Sequence, residues 1–405
     1  MKTAIALVAL AVGAASAPAV AQQASSPAQP APASTGPQPS PKASAAILAL
    51  QTAINAHDTA NIPAKLAAAR AVATTPGDRY WIARLQLNQA IASNDLAAAQ
   101  QDVDAIAASS ALDAAGVAGM YKGLGSNLLH AKQYDQAVAA FEKAGTLAPN
   151  DPSNVLLVAQ ARAEQGRKSD AAAAVQRAIA MTKAAGQKPS EDLYRNAAAL
   201  AYEAKLPAAV SVARQWVTAY PSDDSWRNSL AMYRNLNAGD AANLIDVTRL
   251  ARLTKAMQTA QDYEAFASKA LDEGNYAEAK ATIDEGIAAG KLKASDSLVG
   301  QFVAATKGKV PTAADLAAAE RGASVPNAFI RVGDRYYAAG DYAKAAALYR
   351  QALAKGVDSN LANLRIGEAL ARAGDKPGAT TALNAVGGSR SDLAKFWLVY
   401  VQTHA

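Results

Sequence analysis

The residues best suited to gripping another molecule are four arginines, Arg84, Arg195, Arg331 and Arg365. A guanidinium group is planar and can hold a carboxylate or phosphate through two parallel hydrogen bonds. Lys122, Tyr194, Tyr202, Asp334, Tyr337 and Glu368 add donors, aromatic faces and counter-charges. Together these ten residues would make a mixed polar and aromatic groove able to hold an extended or helical peptide. The competing expectation is that the arginines form ordinary salt bridges with nearby carboxylates, Arg365 with Glu368 for example. Catalytic chemistry has no comparable support. Cysteine is absent, which removes disulfides, thiolate metal sites and cysteine nucleophiles. His57, His130 and His404 lie far apart and none has a partner at ligand spacing, so neither a metal site nor a cofactor is expected. There is no glycine-rich phosphate loop ending in lysine, no glycine-flanked serine elbow and no HExxH. Acidic pairs such as Asp284-Glu285 are more simply solvated than catalytic, and no enzymatic activity is expected.

Such side chains need elements to hold them, and the composition says which. Hydrophobic residues make up 51% of the 405, yet aromatics only 6%. The apolar content is carried mostly by alanine, the best helix former, and small residues at helix contacts imply many tightly stacked helices. The net charge of +6 comes from basic residues dispersed singly among acidic ones. Nucleic-acid binding normally needs a clustered basic stripe, so nucleic acid is not an expected partner.

The first residues read as an address. Lys2 precedes an apolar run from Ile5 to Val12, and Ala19-Val20-Ala21 ends the small-residue stretch before Gln22. This is the pattern of a secretory signal peptide over residues 1–21, with cleavage after Ala21. The apolar run is too short for a permanent membrane anchor. Residues 22–42 carry Pro27, Pro30, Pro32, Pro37, Pro39 and Pro41 among Ala, Ser and Gln, the composition of a semi-extended tether. No later stretch reaches membrane-spanning length. The mature chain is therefore expected in the periplasm or outside the cell.

Self-comparison organises the rest. Gln133-Tyr134-Asp135-Gln136-Ala137, Asn275-Tyr276-Ala277-Glu278-Ala279 and Asp341-Tyr342-Ala343-Lys344-Ala345 share one turn and helix start. Aligning on the last alanine adds copies at Ala64, Ala98, Ala171, Ala209 and Ala379, with a spacing of 34 residues recurring. Five positions earlier, Gly166, Gly274, Gly340 or Gly374 would end the first helix. Four positions later come Phe141, Val175, Ile283, Tyr349 and Leu383, and seven later Ala71, Ala105, Ala144, Ala178, Gly286 and Ala352. Twelve positions earlier, Gly125, Ala159, Ala197, Ala267, Gly333 or Gly367 marks where the two helices of a unit touch. Pro76, Pro149 and Pro221, twelve positions later, would stop the second helix.

This pattern resembles the tetratricopeptide repeat (TPR), nearly slot for slot from Tyr121 to Pro149 and from Phe329 to Ala352, more loosely elsewhere between residues 45 and 390. The resemblance implies an all-α, right-handed solenoid of stacked antiparallel helix pairs, first helices lining a concave groove. It divides the chain into an array at 43–223, degenerate helical repeats at 224–322 with one better unit at 260–290, a pair at 323–390 and a capping helix at 391–405. The first-helix slot would place Arg84, Arg195, Arg331 and Arg365 along the groove. The expected function is a non-catalytic scaffold for protein or peptide partners in envelope assembly or secretion. The alternative is a glycan-associated module for polysaccharide export or peptidoglycan maintenance.

Overall fold

The structure is a computed structural model that describes residues 37–237 and 243–404. The expected signal peptide and most of the tether lie outside the described residues. Among the described residues the regular elements are α-helices and short 3-10 turns, one of them at Gly388–Arg390.

The described residues form two compact units, divided between Lys188 and Pro189. The first contains α1 (Pro41–Asn55), α2 (Ile62–Val72), α3 (Pro76–Ala92), α4 (Leu96–Ala108), α5 (Ala114–His130), α6 (Tyr134–Leu147), α7 (Pro152–Glu164) and α8 (Lys168–Ala184). The second contains α9 (Glu191–Glu203), α10 (Ala209–Ala219), α11 (Asp223–Leu236), α12 (Leu244–Leu253), α13 (Ala260–Asp272), α14 (Tyr276–Ala288) and α15 (Ser297–Thr306). It continues with α16 (Ala313–Gly322), α17 (Pro326–Ala338), α18 (Tyr342–Ala354), α19 (Ser359–Ala373), α20 (Lys376–Asn384) and α21 (Ser391–Thr403).

The repeat slots have direct structural counterparts. Gly166, Gly274, Gly340 and Gly374 all adopt positive φ, from 70° to 85°, which ends the first helix and turns the chain. Five residues on, Ala171, Ala279, Ala345 and Ala379 are completely buried. Where helices of a pair meet, a Cβ on Gly125 would stand 2.4 Å from the Phe141 ring, on Gly333 2.5 Å from Tyr349, and on Gly367 2.5 Å from Leu383. Three units thus use one device, a glycine on the first helix under a large side chain sixteen positions later.

The same backbone signal corrects the register of the first two units. Ala64, Ala71 and Ala105 are exposed and Ala98 is only half-buried. Here the left-handed turn residues are His57, Asn94 and Lys132, which stand in for glycine at φ 52°, 56° and 59°. Counting five residues from each reaches Ile62, Ala99 and Ala137, all buried. Alanine runs on both sides of the true position made the sequence alignment slip by two residues at Ala64 and one at Ala98. Pro76 also does not stop a helix; it is the first residue of α3, where its missing N–H costs nothing.

The tether expected through residue 42 gives way to structure before its end. Ser40 accepts the Ala43 amide and caps α1, which begins at Pro41. Pro37 O accepts the Trp81 indole N–H at 2.8 Å, and Asp78 accepts both the amide (2.6 Å) and hydroxyl (3.0 Å) of Ser40. Gly77 allows this close approach, since a Cβ there would stand 2.1 Å from Gln38 O.

α9 and α10 belong to the second unit, and α10 meets its last helix. Arg214 on α10 pairs with Asp392 at 3.0 Å and lies over the Phe396 ring of α21. Trp226 and Tyr233 of α11 pack on the same ring. The expected capping helix therefore covers α20 and α19 and also packs on α10 and α12. It buries Leu393, Phe396 and Trp397 completely, and burial of each aliphatic or phenyl side chain contributes about 1.5–3 kcal/mol.

Candidate functional site

Four of the ten candidate residues converge, together with four that sequence reasoning missed. Asp334 and Tyr337 stand on α17, and Arg365 and Glu368 on α19. They meet Arg249 and Asp246 of α12, Glu278 of α14 and Tyr349 of α18, every one of them buried.

Arg249 is the hub. Its Nε and Nη2 donate to the two Glu278 oxygens at 2.9 Å each, and Nη2 also reaches Asp334 Oδ1 at 3.1 Å. Its Nη1 lies 3.4 Å from Glu368 Oε2, and its guanidinium covers the Tyr337 ring at 4.3 Å. Arg365 holds the opposite side, with Nε donating to Asp246 Oδ1 at 3.1 Å and Nη1 to Asp334 Oδ2 at 2.5 Å. The Tyr349 hydroxyl completes Asp334 at 2.7 Å. Seven of the ten residues of α12 are buried, so Asp246 and Arg249 must find partners inside.

Two arginines face four carboxylates here, and Glu368 yields. Burial pushes its carboxyl well above the usual range, the Asp246 charge adds to this, and Arg249 and Arg365 oppose it. Burial likewise disfavours the charged form of Arg249, but Glu278 and Asp334 outweigh it and hold the guanidinium charged.

Beside this cluster lies a cavity of about 260 Å³ walled by α12, α14, α17, α18 and α19. Arg252 donates through Nε to Glu285 Oε2 at 3.0 Å. Arg372 donates to the Tyr342 hydroxyl and stacks over its ring at 4.7 Å. The Tyr337 and Tyr342 rings meet edge to face, 5.2 Å between centroids.

The other candidates are scattered. Arg84 on α3 donates to Met120 Sδ at 3.2 Å, and Lys122 on α5 pairs with Asp151 at 2.6 Å and Ser153 Oγ at 2.9 Å. Tyr194 is buried edge-on against Tyr220, and Arg195 is exposed and pairs with Asp192 one turn earlier. The Tyr202 hydroxyl accepts from Asn235 at 3.1 Å, and Arg331 is exposed. The expected common groove slot is thus divided: Arg365 lies inside the core and Arg331 in solvent. Arg365 pairs with Asp246 and Asp334, while Glu368 is held by Arg249.

Paired helices joined by left-handed turns, with glycine-over-ring contacts repeating at fixed spacing, define a TPR-like helical-repeat protein. Solved structures of similar helical-repeat chains include a tetratricopeptide repeat protein from Parabacteroides merdae, at 12% identity and a TM-score of 0.31, covering 72% of this chain and 99% of that one. The TPR2AB domain of yeast Sti1, solved as a complex with pHSP90, shares 13% identity at a TM-score of 0.27, over 69% and 92% of the two chains. Maize pentatricopeptide repeat protein PPR10 shares 14% identity at a TM-score of 0.33, over 85% of this chain and 54% of that one. No protein-family model matches the sequence, and no curated protein matches it. No helix among the described residues is long and apolar enough to cross a membrane.

Proposed function

We propose that this chain is an exported, non-catalytic scaffold that holds a protein or peptide partner during envelope assembly or secretion. One observation carries the reading. In the first unit the main contacts run between helices that are neighbours or near neighbours in sequence, α1 with α2 and α3, then α3 with α4 and so on to α8. Such a stack is nearly one-dimensional, and it leaves long helix faces free for a partner. Arg84 and Lys122 stand on α3 and α5 of that stack, each half-buried. The export part rests on the basic, apolar and Ala-x-Ala pattern of residues 1–21.

The test is affinity capture of residues 22–405 from native envelope extract, compared with an Arg84→Ala/Lys122→Ala variant. Partners lost in the variant support a scaffold that uses these first helices. Absence of any protein above background removes the protein-scaffold reading, and retention on purified peptidoglycan in that case supports the glycan-associated alternative. Export is read separately from the amino terminus of the secreted chain, expected at Gln22; a retained Met1 refutes it.

A further inference from the structure

Every guanidinium around the cavity of the second unit has a carboxylate within ion-pair distance, except one. Arg249 has Glu278, Asp334 and Glu368, Arg252 has Glu285, and behind the wall Arg365 has Asp246 and Asp334. Arg372 has a phenol instead: it donates to the Tyr342 hydroxyl and rests on that ring. Its remaining N–H groups meet no carboxylate among the described residues. A cation–π contact and one neutral acceptor are modest replacements for a counter-ion at this half-buried guanidinium.

The cavity wall holds Arg249, Arg252 and Arg372 against Glu278 and Glu285, an excess of one positive charge at the position of Arg372. The rest of the wall is apolar or aromatic: Leu253, Ala281, Ala338 and the rings of Tyr337 and Tyr342. At about 260 Å³ the space lies just below the usual range of ligand pockets, which suits a small molecule. A guanidinium with its planar N–H edge free is the protein group best matched to a carboxylate. Two carboxylates in the same wall oppose a doubly charged anion such as phosphate, whereas a single negative charge balances Arg372.

We propose that this cavity binds a small organic monocarboxylate, its head seated on Arg372 and its apolar body lying against Leu253, Ala281, Ala338 and the two tyrosine rings. The site is independent of the protein-scaffold reading, since it needs no groove and no partner chain. Arg372 supplies the charge and Tyr342 orients it.

The test is calorimetric titration of residues 22–405 at fixed ionic strength with benzoate and with hexanoate. Benzamide serves as the uncharged control and inorganic phosphate as the anion control. Saturable one-site binding of at least one carboxylate is expected, with neither control binding. Arg372→Gln is expected to weaken it roughly tenfold or more, the loss of a charge-assisted bidentate contact, while Arg321→Gln at an exposed position of α16, which does not line the cavity, leaves it unchanged. Circular dichroism and the melting temperature establish that each variant is folded. Should Arg372→Gln fail to fold, Arg372→Lys retains the charge without the fork and is expected to bind several-fold more weakly. Absence of saturable binding by either carboxylate overturns the proposal, as does equal affinity in the folded Arg372 variant, or binding of phosphate as tight as that of the carboxylates.

Discussion

The glycine-over-ring contact makes a sharp case for substitution, because one helix offers both the perturbation and its control. Gly125 and Gly119 both lie within α5. A Cβ at Gly119 would meet nothing within 4 Å, whereas at Gly125 it would meet three carbons of the Phe141 ring at 2.4, 2.6 and 2.9 Å. Carbon atoms rest at about 3.5–4.0 Å, so the ring must retreat by roughly 1 Å. Phe141 is fully buried and has no solvent side into which to move. Overpacking of this kind costs about 1–3 kcal/mol, and 1 Å against an enclosed ring belongs to the upper part of that range. Replacing a mid-helix glycine by alanine returns about 1 kcal/mol through helix propensity. The net expectation is that Gly125→Ala destabilises by about 1–2 kcal/mol while Gly119→Ala stabilises by about 0.5–1 kcal/mol. Urea unfolding followed by circular dichroism measures both, and hydrogen exchange localises the loss to α5 and α6. Adding Phe141→Leu to Gly125→Ala is expected to recover part of the loss, a coupling between neighbours. If the two alanine variants lie within about 0.5 kcal/mol of each other, the close contact between α5 and α6 is refuted.

Three other perturbations follow from the charges. Burial pushes Asp102 up to about 6, with Arg70 opposing and Asp95 adding to the shift. Between an unfolded value near 3.8 and that folded value, the folded chain binds more protons, so stability falls as pH rises through this window. Asp102→Asn should therefore stabilise the first unit by about 1 kcal/mol near pH 7, after allowance for partial exposure, and give no gain below about pH 4. Asp78 runs the other way: burial opposes its charge, but the amides of Thr75, Ser40 and Thr74 hold its carboxyl well below the usual range. Its contribution is present above the ordinary carboxylate range and is lost on acidification, so low pH should release the Trp81 indole N–H from Pro37 O, read as faster exchange of that proton by NMR. Arg249→Met leaves Glu278 and Asp334 short of a buried partner and is expected to cost about 3–5 kcal/mol in urea unfolding; a loss below about 1 kcal/mol would show that water reaches the cluster.

The helix-pair architecture was legible because its constraints are local. A turn needs a residue that tolerates positive φ, and a close helix contact needs a glycine or alanine at a fixed distance from it. Where glycine filled the turn, at 166, 274, 340 and 374, the alignment placed the buried alanines correctly. Where His57 and Asn94 filled it, alanine periodicity was the remaining guide. It distinguishes a buried from an exposed alanine poorly, because both favour the helix equally. Phe141 and Tyr349 were found for the same reason as their glycines: a bulky residue sixteen positions on is a requirement of one helix pair, not of the whole fold.

The charged centre depends on a different kind of information. Asp334, Tyr337, Arg365 and Glu368 were visible as unusual polar residues on first helices, but the sequence assigned them to a solvent-facing groove. What buries them is α12, and α12 lies in the stretch from 224 to 257 where the repeat pattern fades. The fading and the burial have one cause. A helix that packs on several neighbours at once has no need of the fixed small-residue slots by which a repeat is recognised, and α12 packs on α11, α13 and α21 with seven of its ten residues buried. Asp246 and Arg249, three residues apart on such a helix, were therefore the available clue: an acid and a base inside an apolar run, with Ile245, Val247, Leu250 and Ala251 around them. Charges at those positions can be stable only if partners arrive from elsewhere in the chain. Glu278, Asp334, Arg365 and Glu368 are those partners, so the four carboxylates and two guanidiniums specify how α12, α14, α17 and α19 assemble. The cost of desolvating them makes the cluster a device for selecting one arrangement of helices, since any other packing would leave a charge buried and unpaired.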